Sequence, residues 1–144
     1  MIIDFGYGVD ISRTQFVADA DKYTLEHYAT KDILDEFEDY CKEYEDLVEE
    51  GIAESCFVED YMDDVHCVDG IEAILIRCIN DNECHGKDVF LYDDYCIYVG
   101  ARIPANDDEK AELLTTESIR TILAKYLNPI LTETVSVKFL EIRN

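Results

Sequence analysis

Two dipeptides, His66-Cys67 and Cys84-His85, carry the residue types that most directly invite chemistry. Together they offer two thiolates and two imidazoles, a donor set that zinc accepts. Their spacing argues against such a site. Cys67 and Cys84 are 17 positions apart, yet neither end shows the C-x₂₋₄-C or H-x₃₋₅-H step of known structural sites. Adjacent residues on an extended chain also point to opposite sides. A Cys-His nucleophile pair can be drawn from six cysteines (Cys41, Cys56, Cys67, Cys78, Cys84, Cys96) and three histidines (His27, His66, His85). No cationic neighbourhood marks any of those thiols as activated. The run Asn80-Asp81-Asn82-Glu83 and the stretch from Asp60 to Gly70 supply oxygens but miss the ligand order and central glycine of a calcium loop. There is no Gly-rich phosphate loop and no Ser-centred elbow. These readings point away from catalysis and imply no cofactor. A Cys/His metal-dependent enzyme is kept only as the weakest alternative.

Carboxylates are the abundant functional group. The 144 residues hold 34 Asp plus Glu against 12 Lys plus Arg, a net charge of −22. A surface of that sign repels phosphate, which excludes direct nucleic-acid binding through a basic face and disfavours anionic membranes. It also leaves too few cations for a nuclease that must hold its substrate. The implied partner is a basic protein surface. The charge is concentrated: residues 21–64 contain 17 acidic residues and three basic ones, Lys22, Lys31 and Lys42. Within them Asp32, Glu36, Asp39, Glu43, Asp46 and Glu50 recur at steps of 4, 3, 4, 3 and 4. On one continuous helix those steps draw a single stripe, with carboxylates about every 5 Å. The phosphates of a DNA strand are spaced a little wider. Like charges at i,i+4 cost roughly 0.2–0.5 kcal/mol per pair, and a solubilising face usually mixes signs to avoid that cost. The stripe is therefore the candidate partner-binding site, extended by Glu59, Asp60, Asp63 and Asp64. The Tyr and Phe residues read mostly as core at helix or strand spacing, with Tyr23, Tyr61 and Tyr95 as candidate interface anchors.

The elements that must position these groups follow from periodicity. Residues 2–11 alternate with apolar Ile3, Phe5, Tyr7, Val9 and Ile11, the pattern of a strand with one buried face. Gly6 and Gly8 on the opposite side suggest a bulge or a close backbone approach. Ser12 is a cap for a short helix over about 13–19, and Asp21 for another over 22–28. Thr30 to Gly51 reads as one long helix with Ile33, Leu34, Phe37, Tyr40, Cys41, Tyr44, Leu47 and Val48 on its apolar face. Residues 56–63 suggest a further helical turn. Residues 69–80 are apolar on most sides, and their length favours a buried helix over a strand. Residues 88–92 and 95–103 flank a short acidic turn and read as an antiparallel hairpin ended by Pro104. Thr115 or Thr116 caps a helix closed by Pro129, and 135–142 form a last strand. The expectation is a single α+β domain spanning 1–144, its antiparallel sheet of about four strands packed with an acidic helical segment. No secretory signal or apolar run of membrane-spanning length is present, so a cytoplasmic protein with reduced cysteines is expected.

The opening Ile3-Asp4-Phe5-Gly6-Tyr7-Gly8-Val9-Asp10-Ile11-Ser12, followed by a helical acidic middle, resembles small acidic proteins of bacterial phages and conjugative elements. That resemblance covers about the first 15 residues and otherwise concerns layout. In charge and size the chain is similar to DNA-mimic inhibitors of the anti-CRISPR and anti-restriction type. The likeness implies a non-enzymatic inhibitor, in a bacterial host cell, that occupies the nucleic-acid channel of a defence nuclease. It carries no site residue across. The alternative is an acidic immunity protein or antitoxin that neutralises a basic toxin; electrostatic steering would serve either.

Overall fold

A computed structural model describes residues 3–10, 15–64, 68–93, 98–102, 116–134 and 138–143. Helices and antiparallel strands are mixed in an α+β arrangement. The order is β1 (Ile3–Asp10), α1 (Ala20–His27), α2 (Lys31–Glu43), α3 (Glu45–Glu49), α4 (Ala53–Asp60), β2 (Met62–Asp63), β3 (Val68–Asp69), α5 (Ile71–Glu83), β4 (Phe90–Asp93), β5 (Tyr98–Arg102), α6 (Thr116–Leu127) and β6 (Lys138–Arg143). Ser12, Pro104 and Thr115, with His66, Cys67, Tyr95 and Cys96, lie outside the described residues.

Strand β1 pairs antiparallel with β5 on one side and β6 on the other, and β4 pairs antiparallel with β5. The register sets Gly8 opposite Gly100 and Val9 opposite Val99. The two-residue strands β2 and β3 form a separate small ladder.

The core is built around α5. Ala73, Ile74, Leu75, Ile76, Cys78 and Ile79 are buried, so the helix is wrapped on nearly every side. This is the helix expected over 69–80. Its all-round hydrophobicity marks burial rather than a strand. Gly70 opens it at φ 80, a left-handed conformation in which a side chain would be strained. There its N–H donates to the Tyr61 carbonyl at 2.8 Å. Leu25 and Tyr28 of α1 and its flank, Ile33 of α2, Phe57 and Val58 of α4, Phe90 of β4, and Leu123, Tyr126 and Leu127 of α6 complete the cluster. Each such Leu, Ile or Phe contributes about 1.5–3 kcal/mol by leaving water. Among the described residues the buried polar side chains are Thr24 and Asn80. The Asn80 side-chain amide donates to the Phe90 carbonyl at 3.0 Å and accepts the Phe90 N–H at 2.8 Å. The side chain thus satisfies the first residue of β4 as a strand neighbour would.

Four local expectations are corrected. Asp21 is not a cap: α1 begins at Ala20 behind Asp19, which places Asp21 in its first turn. Residues 15–17 are not helical; Phe16 bridges Leu131, and the Val17 N–H donates to the Ile130 carbonyl, tying this segment to the end of α6. The turn expected over 56–63 starts earlier, as α4, and yields to β2 at Met62. The long helix from Thr30 to Gly51 is broken. Tyr44 adopts φ −119 and ψ 63, which ends α2 and begins α3. That departure places the Tyr44 ring 4.7 Å from Tyr40, whose own ring meets Phe57 edge-on at 5.4 Å. A chain crowded with like charge has little to lose by breaking there. The expected apolar face divides accordingly: Ile33 is buried, Phe37, Tyr40, Cys41 and Leu47 are half-buried, and Leu34, Tyr44 and Val48 are exposed.

Candidate functional site: an acidic elbow

Helices α2 and α3 form an elbow whose outer surface is almost wholly anionic. All ten carboxylates from Asp32 to Glu50 are exposed. Asp32, Glu36, Asp39 and Glu43 lie on α2, Asp46 lies on α3, and Glu50 is the residue that ends α3. The sequence stripe is thus carried on two short helical axes joined at Tyr44, in place of the one straight row that an unbroken helix would give.

The carboxylates are not equivalent. Glu36 is held by Arg77 of α5, whose Nη1 lies 3.0 Å from Oε1 and 2.9 Å from Oε2. The same guanidinium donates to the Tyr61 hydroxyl and lies 3.5 Å from Asp81 through Nε. Burial works to lower the Arg77 pKa, but the hydrogen bonds to Tyr61 and Glu36 outweigh it and hold the group charged. Glu36 is therefore a strut between α2 and α5. Glu38 pairs with Lys42 at 3.3 Å, one turn along α2, where both side chains are well exposed. No ion pair between described residues engages Asp32, Asp35, Asp39, Glu43, Glu45, Asp46, Glu49 or Glu50. These eight are the groups on the elbow available to a cationic partner.

The expected extension behaves differently again. Glu59 is exposed at the end of α4. Asp60 accepts a hydrogen bond from the Tyr40 hydroxyl at 3.2 Å, and burial together with that bond pushes the tyrosine pKa up to about 12. Asp60 therefore pins α4 to α2. Asp63 is half-buried in β2, and Asp64 follows it. Both line a cleft of about 330 Å³ with Tyr61, Met62, Arg77, Asn80, Asp81, Gly86 and Asp88. Four carboxylates and one already engaged guanidinium make this cleft hostile to anions. Of the tyrosine anchors, Tyr61 is taken up by Arg77, and Tyr23 stacks on His27 with centroids 3.9 Å apart.

The thiols answer the first question of the sequence in part. Cys41, Cys56, Cys78 and Cys84 are free. Burial pushes the Cys78 thiol up to about 12 and the Cys84 thiol to about 11, away from the thiolate a nucleophile requires. Cys84 is buried while His85 is exposed at φ 54, so this dipeptide turns its two donors to different environments. Among the described residues no group of three or more His, Cys, Asp or Glu is arranged to hold a metal ion. Nor is any helix among them long and apolar enough to cross a membrane.

Sequence reasoning missed Arg77 as a partner of the stripe. A lone cation in an apolar helix was its only signal. Comparison of the chain with protein-family models, curated protein sequences and solved structures finds no match. The functional reading rests on the residues themselves.

Proposed function

We propose that the protein is a non-enzymatic acidic inhibitor that occupies the basic nucleic-acid channel of a defence nuclease, presenting carboxylates where phosphates would lie. One observation carries the reading. Eight exposed carboxylates on two successive helices have no ion-pair partner among the described residues, although pairing with interleaved Lys or Arg would stabilise those helices. The unspent electrostatic energy is available to a partner of opposite sign, where it accelerates encounter and fixes orientation.

The test is displacement of labelled duplex DNA from purified RNA-guided nucleases and restriction endonucleases. The protein is expected to release DNA from at least one of them, with an inhibition constant that rises steeply with salt. Retention of DNA by every nuclease, with tight capture of a basic toxin instead, would replace this reading with that of an immunity protein.

A further inference from the structure

Among the described residues, four of the five large hydrophobic side chains that stand exposed, Leu34, Tyr44, Val48 and Ile52, belong to the acidic elbow and its end, at 40–48% exposure. Three of them follow one another through α3 and its end. Tyr44 precedes the helix, Val48 is one turn on, and Ile52 comes after Gly51. The end of α3 has a specific geometry. Gly51 sits at φ 75, its N–H donates to the Val48 carbonyl at 3.1 Å, and the Ile52 N–H reaches the Leu47 carbonyl at 3.0 Å. That paired bonding is the Schellman turn, which carries the residue after the glycine back towards the last helical turn. Ile52 is thereby brought beside the end of α3 that bears Val48. Glu45, Asp46, Glu49 and Glu50 are interleaved with these apolar side chains, and all four are exposed.

We propose that this Tyr44–Val48–Ile52 ridge is the apolar anchor of the partner-binding surface, and that its occupant is an amphipathic basic segment whose aliphatic side chains cover the ridge while its Lys and Arg meet the surrounding carboxylates. The inference rests on the acidic-inhibitor reading and adds the chemistry of the recognised segment. Charge complementarity selects the occupant. A second copy would bring another −22 to the contact, and an anionic lipid surface or a nucleic acid would be repelled likewise. Only a partner with cations around an apolar centre satisfies both parts of the surface. An apolar centre ringed by charge is also the usual anatomy of an interface in which a few desolvated side chains carry the affinity.

Two synthetic peptides of equal length and charge test this, one an amphipathic helix of Leu and Lys, the other with every Leu replaced by Ser. Their binding to the whole protein is followed by fluorescence anisotropy at low and high salt, for the wild type and for the double variant Val48→Ser, Ile52→Ser. The Leu/Lys peptide is expected to bind the wild type at least about tenfold more tightly than the Ser/Lys peptide, and the double variant to erase that preference. Ser/Lys binding and the thermal midpoint of the double variant should match the wild type. Equal binding of both peptides to the wild type would overturn the ridge and leave the electrostatic reading standing. If neither peptide bound, both readings would be overturned. A wild-type dimer in solution that the double variant dissolves would also overturn the proposal, because a second copy would then cover the ridge.

Discussion

Arg77 grips Glu36 with a single nitrogen, Nη1, placed 2.9 and 3.0 Å from the two carboxylate oxygens. The pair joins the acidic helix α2 to the buried helix α5. It also divides the acidic stripe into a residue that holds the fold and neighbours that do not.

Glu36→Gln should therefore lower stability by about 1 kcal/mol, a value kept modest by the partial exposure of both side chains. Its affinity for a partner should be nearly unchanged. Asp39→Asn should do the reverse, leaving the melting curve alone while slowing association. Paired thermal melts and association kinetics on the two variants separate these roles.

Asn80 is expected to be the most sensitive polar residue of the core. Asn80→Leu removes both hydrogen bonds to Phe90 and strands a buried N–H and carbonyl, at a cost of about 2–4 kcal/mol. Denaturant unfolding gives the number. Loss of less than about 0.5 kcal/mol would mean that β4 is held to α5 by packing alone.

Acidification should at first stabilise the protein. Burial, and then Glu59, raises the Asp21 pKa above 3.8; burial, and then Asp69 and Asp21, raises that of Glu72 above 4.5. A raised carboxyl takes up its proton in the folded state first. Its contribution is full below the unfolded value and is lost as pH rises through the folded one. Glu83 runs the other way. The hydrogen bond from Lys125 holds its pKa below 4.5, so its contribution is present above that value and lost as pH falls through the lower folded one. The thermal midpoint should rise as the pH falls from neutrality towards 4.5 and fall again below it, as Glu83 takes up its proton. A midpoint that declines steadily from neutrality would show that lowered carboxyls such as Glu83 dominate.

Much of this architecture was legible because hydrophobic period and length agree. Residues 69–80 are apolar on most sides, and from Ile71 they form the central helix; residues 3–10 alternate and end as a strand. The break at Tyr44 was not legible. The apolar positions on either side of it keep helical spacing, so the periodicity runs straight through the break. The acid stripe was visible as charge, but its division was not. The partner that neutralises Glu36 lies 41 residues away on another helix, a separation to which local spacing is blind. Asp60 is the same case, since its partner Tyr40 reads in the sequence as one more core aromatic.

The central claim is that the carboxylates of the elbow stand in for phosphates, and one variant tests it directly. In Asp39→Lys, Glu43→Lys, Asp46→Lys, three exposed groups without ion-pair partners among the described residues are reversed. The measurement is displacement of duplex DNA from the nuclease that the wild-type protein inhibits, with a thermal melt of the same sample. The expected result is an inhibition constant weakened by about 100-fold or more, with stability changed by no more than about 0.5 kcal/mol per site. A folded variant that displaces DNA as well as the wild type would contradict the claim and reduce the acidic elbow to a solvated surface.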